Sequence, residues 1–452
     1  MAEVAVQVAE KTSIREKIQS FKQYITYPNV LLAIAWLICL TRGFIPALEQ
    51  IYSIGLLGIA LLLWRRDEFY LMMAFFVFFL DQFYVGGTTP AYRLFSYIAL
   101  IKFITELPKV RFRIAYLPAV AVFILFCLFG VGRNGGIRLG LNLLADLIIV
   151  YTTLTRMKAD PELFRKLLFM YTLVAVAAGV YSLAAGNVIS YEIGRENVRS
   201  EEIVRYCATF GDANYAGFYY NIAIFTLFSL KRPKLAVRLP VLLILHYFML
   251  LTNSITSFIG YLLCMVLFIV LRYPKKAPII FGAAFFSLLA VVVLVMTIPA
   301  LNQIGFINNV VIRVSEQIRY FQSGRMDMFT SGRTDIWSYF WGHFEEQNIL
   351  GKLFGGNVVT SAFTEDKFVT FRACHQAYIQ GILTFGILGS VVVFSTIIGK
   401  FFYKIRVYFR TRLKDENSDF TCIIAIATLM WLFFGFSIDF FLDWRFMFFF
   451  FI

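Results

Sequence analysis

The chain is 452 residues long, 60% hydrophobic and only 15% charged, with a mean hydropathy of +0.73. A water-soluble domain cannot bury that much apolar surface, so the composition defines an all-α polytopic membrane protein. The formal net charge of +14 does not mark a nucleic-acid binder, because Lys and Arg cluster in short loops between apolar runs, as cytoplasmic loops do.

In chain order, residues 1–28 are polar and mixed in charge, with Arg15, Lys17 and Lys22 ahead of the first apolar run. They read as a cytoplasmic N-terminal segment, lying on the membrane surface if it is an amphipathic helix. A spanning helix needs about 20 apolar residues. The predicted spans are Val30–Leu48, Ile51–Trp64, Phe69–Val85, Arg93–Thr105, Ile114–Val131, Leu139–Thr155, Phe164–Ala185, Tyr215–Leu230, Ala236–Leu251, Ser257–Leu271, Ile279–Ile298, His375–Lys400, Phe420–Phe436 and Phe440–Ile452. That amounts to about 12–14 transmembrane helices, some short enough to be half-spans. Residues 29–300 form the helix bundle, 301–374 a large extracytoplasmic loop with short helices, and 375–452 the C-terminal helices.

Orientation follows from the basic residues. Alternate loops hold Arg65 and Arg66; Lys109, Arg111 and Arg113; Arg156, Lys158, Arg165 and Lys166; Lys231, Arg232, Lys234 and Arg238; Arg272, Lys275 and Lys276; and Lys400 to Lys414. These loops face the cytoplasm. The other loops then face outward, and two of them, Gly186–Asn214 and Pro299–Cys374, are long. They contain Arg195, Arg199, Arg205, Arg313, Arg319, Arg325, Arg333 and Arg372. Such arginines either meet an anionic partner or pair with local acids such as Glu196, Glu201, Glu316, Asp327 and Asp335.

The chain has three histidines. His246 lies inside an apolar span and reads as a packed core residue. His343 lies in the helical pattern IWSYFWGHFEEQ and reads as a surface residue. His375 sits where the large loop meets an apolar helix, followed by Gln376, Tyr378 and Gln380. An imidazole held there suits a general base near neutral pH, or else a helix cap. Arg333, in Ser331-Gly332-Arg333-Thr334-Asp335, lies at a turn ahead of a helix. It can grip a phosphate bidentately or pair with Asp335. Arg205, ahead of the span that opens near Asn214, is either a second anion contact or an interfacial anchor. No nucleotide-binding glycine loop, outward D-x-D or G-x-S-x-G is found, so a nucleotide-sugar donor and a metal-dependent transferase are disfavoured. The six Cys show no metal spacing and no CxxC.

These stretches resemble the O-antigen polymerase and O-antigen ligase superfamily of bacterial envelope enzymes, over residues of about 200–400. Arg205, Gly211 and Asn214 match the family's pattern ahead of a central span. Leu251-Thr252-Asn253-Ser254 matches its tight turn after a serine, with Ile255 where an Arg often stands. Ser331, Gly332, Arg333 and Trp337 match the next block, and Gly351 with Gly355-Gly356 matches a Gly-rich turn. His375-Gln376-Ala377-Tyr378-Ile379-Gln380 and Phe385-Gly386-Ile387-Leu388-Gly389 match the last block, with Gln376 replacing the usual Asn.

The resemblance implies a GT-C-like helical architecture in the bacterial inner membrane, with the site facing the periplasm. It implies a glycan on undecaprenyl diphosphate as substrate, and no cofactor or metal. Such a polymerase would use His375 as base and Arg205 and Arg333 on the diphosphate, with Tyr378, Asp335, Gln376 and Asn214 in support. A chain-length regulator and a flippase of the same pathway would be its partners. A ligase passing finished polymer to lipid A core would share this chemistry. A flippase would place charges deep inside spans, whereas here they gather at span ends. If the two outward loops meet, Cys207 and Cys374 could approach closely enough for a disulfide.

Overall fold

A computed structural model of the chain describes residues 26–79, 82–106, 160–193, 201–298, 305–324, 333–355, 362–364, 370–372, 374–412 and 418–438. The predicted spans Ile114–Val131, Leu139–Thr155 and Phe440–Ile452, and nearly all of the N-terminal segment, lie outside these residues. The protein is an all-α polytopic membrane protein, and among the described residues three helices are long and apolar enough to cross a bilayer, with shorter apolar helices beside them.

The first half comprises α1 (Tyr27–Thr41), α2 (Glu49–Leu62), α3 (Met73–Phe78), α4 (Ala91–Glu106) and α5 (Pro161–Ala185). Then come α6 (Ala213–Ser229), α7 (Leu235–Leu251), α8 (Ile255–Arg272) and α9 (Ala277–Thr297). The loop region holds α10 (Gly305–Gln322), α11 (Arg333–Glu345) and α12 (Ile349–Phe354), and the last helices are α13 (Ala377–Thr411) and α14 (Ser418–Phe434). Two-residue strands β1 (Tyr84–Val85) and β2 (Thr89–Pro90) pair, as do β3 (Val188–Ile193) with β4 (Glu201–Tyr206) and β5 (Ala362–Thr364) with β6 (Thr370–Arg372), all antiparallel.

The core is built around α6. Only Tyr215 and Phe228 of its residues escape full burial, which is the pattern of a helix apolar on every face and wrapped by others. Helices α5, α7, α8 and α14 surround it. By contrast α9 exposes Ile279, Phe285 and Phe286, as suits a helix with lipid around it.

Three predicted spans differ in the structure. The run after Val30 ends its helix at Thr41, because Arg42 turns to Gln82 O and Glu49 and Gly43 lies tight against the Tyr181 backbone. Phe69–Val85 is not one helix: a 3-10 turn, Asp67–Met72, leads into the short α3 and then β1. Every residue from Phe69 to Phe79 is buried, and irregular backbone at membrane depth is tolerated where protein surrounds it. The helix expected from His375 begins instead at Ala377, and it continues past Lys400 through Arg410.

The basic loops gather at one end. Arg65, Arg66, Asp160, Glu162 and Lys166 line one cavity. Arg165 lies over the Phe420 ring at 5.3 Å, Lys231 N–H donates to Asp419 at 3.4 Å, and Arg412 donates to Leu271 O at 3.4 Å. The β3–β4 hairpin, the turn between α7 and α8, and the start of α13 lie at the other end, with the turn docked on β4.

Candidate functional site

Arg205 stands near the end of β4, opposite Ile189. Its Nε donates to Thr252 O at 3.2 Å and its Nη2 to Asn214 Oδ1 at 3.1 Å. Asn214 is buried in the first turn of α6, where Asp212 caps the helix by accepting from the Asn214 N–H. Ser254 Oγ donates to the same Asn214 Oδ1 at 2.7 Å and accepts from Ser257 N–H at 3.1 Å, capping α8. Between them Asn253 takes φ +46 and donates its side-chain N–H to Val204 O at 2.8 Å. Asn tolerates this left-handed backbone, so the turn stays tight and reaches back to the strand. The guanidinium is therefore held by two acceptors from two helix ends, with N–H groups to spare.

Arg333 opens α11 and is largely buried. Burial lowers its pKa, the Asp212 carboxylate opposes that shift, and the Arg205 charge reinforces it. Arg333 is thus within electrostatic reach of both Asp212 and Arg205. Among the described residues neither arginine has an ion-pair partner. A guanidinium with free N–H groups suits an anionic ligand.

One turn further along α11, Trp337 Nε1 donates to Cys374 O at 3.1 Å. Ile336, Phe340 and Phe344 of α11 pack against Cys374 and Leu383. The helix that carries Arg333 is therefore clasped to the residue before His375. His375 takes φ +50, a left-handed backbone costing about 1–2 kcal/mol for a residue with a Cβ. Among the described residues its Nδ1 is buried without a partner, as are Gln376 Oε1, Gln380 Oε1 and Thr384 Oγ1. Each such atom costs about 1–3 kcal/mol.

Two glycines lock this region. A Cβ on Gly355 would lie 2.3 Å from Thr384 O, and one on Gly386 2.4 Å from Leu353 O. Gly386, at φ 68 and ψ 179, breaks α13 just where the end of α12 crosses it.

The structure thus brings Arg205, Asn214 and Arg333 together and ties the strap bearing His375 to the helix bearing Arg333. Asp335 falls in the first turn of α11, and its side chain lies outside the described residues. Tyr378 is directed elsewhere: its hydroxyl donates to Leu432 O and its ring packs on Phe394 and Phe436, anchoring α13 to α14. The disulfide considered for Cys207 and Cys374 is not formed. Both are free and buried; Cys374 packs against α11, and burial pushes the Cys207 thiol up to about 11. His246 is a bonded core residue, with Nδ1 on Leu242 O at 2.7 Å and Nε2 on the Tyr261 hydroxyl at 3.1 Å. Sequence reasoning passed over Asp212 and gave Ser254 no role. The D-A-N and T-N-S triplets, cap-type residues before apolar runs, were the available signal.

The described residues thus form a polytopic helical bundle with Arg205 bonded between two helix ends and His375 on a strained backbone. A family model described as O-antigen ligase matches residues 240–394, so this part of the chain is similar to that family. The matched segment holds Thr252, Ser254, Arg333 and His375; Arg205 and Asn214 lie before it and are joined to it by the hydrogen bonds above. No curated protein matches the chain. The family supports an enzyme of the O-antigen ligase or polymerase type.

Proposed function

We propose that the protein is a polysaccharide polymerase of the bacterial envelope, joining glycan repeat units carried on undecaprenyl diphosphate at the outer leaflet. His375 removes the proton from an acceptor hydroxyl, and Nδ1, which has no partner among the described residues, is the nitrogen assigned to it. The acceptor oxygen forms a bond to the anomeric carbon of the donor as the bond from that carbon to the diphosphate oxygen breaks. The electron pair leaves with the diphosphate, whose charge Arg205 and Arg333 compensate. Because no covalent nucleophile takes part, the anomeric configuration inverts.

The observation that supports this reading is the hydrogen bond from Trp337, on the helix that Arg333 opens, to the backbone of Cys374, the residue before His375. The test is the polysaccharide ladder made in cells at matched expression. His375→Ala is expected to lower transfer by about 10²–10⁴, and Arg205→Ala and Arg333→Ala each by roughly 10²–10³. Wild-type chain lengths in all three end the proposal.

The description of the matched family favours a second reading, transfer of finished polymer to an outer-leaflet acceptor such as lipid A core. A strain lacking the protein separates the two. Accumulated single repeat units mean a polymerase, and accumulated lipid-linked polymer means a ligase.

A further inference from the structure

Between His375 and Gly386 the short first arm of α13 carries polar groups without a partner among the described residues. Gln380 and Thr384, four residues apart, share one stripe of the helix, and Gln376 stands at its N-cap. Gln380 is 6% exposed and Thr384 1%. Gln376 Oε1, Gln380 Oε1 and Thr384 Oγ1 are all shielded from solvent, as is His375 Nδ1 at the head of the arm. The flanking stripes have other work. Ile379, Ile382 and Leu383 pack against α11, while the Ala377 N–H and the Tyr378 hydroxyl donate to Gly435 O and Leu432 O of the α14 end. Packing alone would favour Met and Val on this stripe, which fill similar space without an unpaired oxygen.

Carbonyl oxygens require hydrogen-bond donors. A diphosphate at neutral pH offers almost none, and a lipid chain offers none. A saccharide offers a hydroxyl at most of its ring carbons. We infer that Gln376, Gln380 and Thr384 form a hydroxyl-binding subsite for the acceptor saccharide, running from His375 along the first arm of α13. This deepens the glycosyl-transfer reading and rests on it: the arginines take the anionic diphosphate, and the arm takes the neutral sugar. The break at Gly386 sets this arm apart from the rest of α13.

The experiment uses the purified full-length protein in lipid nanodiscs. The probe is the saccharide released by mild acid from the lipid-linked pool of a strain lacking the protein, and binding is measured calorimetrically. Gln380→Met and Thr384→Val are expected to weaken binding about tenfold each, as for one lost hydrogen bond, and to melt no lower than wild type. Thr384→Ser is expected to bind like wild type. The inference is overturned if wild type does not bind the saccharide or if Gln380→Met and Thr384→Val bind as wild type does. It is equally overturned if Thr384→Ser loses as much as Thr384→Val, or if Gln380→Met and Thr384→Val lose binding only because they melt early. Saccharide binding is read without transfer, so it fails separately from the polymerase reading, which falls instead if His375→Ala still makes polymer at the wild-type rate.

Discussion

Arg205 shows how much of a site one side chain's surroundings decide. Its planar fork meets Thr252 O and Asn214 Oδ1 together, and a single ammonium cannot hold both while also facing a ligand. Arg205→Lys is therefore expected to leave polymer yield lower by about 10², nearly as low as Arg205→Ala; recovery with Lys would reduce Arg205 to a point charge. His375 makes the complementary case. Asn tolerates the left-handed backbone, so His375→Asn is expected to keep the wild-type melting temperature while transfer falls by about 10²–10⁴. An early melt would mark the histidine as structural. At this scale the sequence exposed Arg205, Arg333 and His375 through their motif blocks. It did not reveal the bond from the Tyr378 hydroxyl to Leu432 O, because a contact across a helix interface leaves no trace in local sequence.

The elements were legible in proportion to how far hydropathy alone defines them. Helices α5, α6, α7 and α8 begin and end within a few residues of the predicted spans, since each is one apolar run between caps. The segment after Phe69 failed because a buried apolar run reads alike whether it is a full helix or a 3-10 turn and a short helix. The Gly355–Gly386 crossing was visible only as two glycine motifs, and their shared cause is the contact of α12 with the break in α13. Gly355→Ala and Gly386→Ala are each expected to destabilise the protein by about 2 kcal/mol or more, read as an early melt in detergent. Gly58→Ala in α2, where a Cβ meets nothing within 4 Å, is expected to be neutral or to stabilise by up to about 1 kcal/mol. Equal behaviour of the three would remove the crossing from the account.

Across the whole molecule, the gathering of Arg65, Lys166, Lys231 and Arg412 at one end follows the partition of basic residues along the chain. The arrangement of the site was less legible, because Arg205 meets Thr252, and Trp337 meets Cys374, through contacts between distant elements that no local pattern encodes. With the basic end in the cytoplasm, a membrane-impermeant maleimide is expected to label Ser323→Cys in intact cells and Lys275→Cys only after permeabilisation; the reverse pattern would turn the site inward. The claim that Arg205 and Arg333 serve one diphosphate is tested most directly by a double-mutant cycle on the purified enzyme, read as kcat/KM with the lipid-linked donor. Because two groups on one leaving group act together, Arg205→Ala and Arg333→Ala combined are expected to cost clearly less than the product of their separate losses, each about 10²–10³. Losses that simply multiply, or rates unchanged by either substitution, would contradict a shared site.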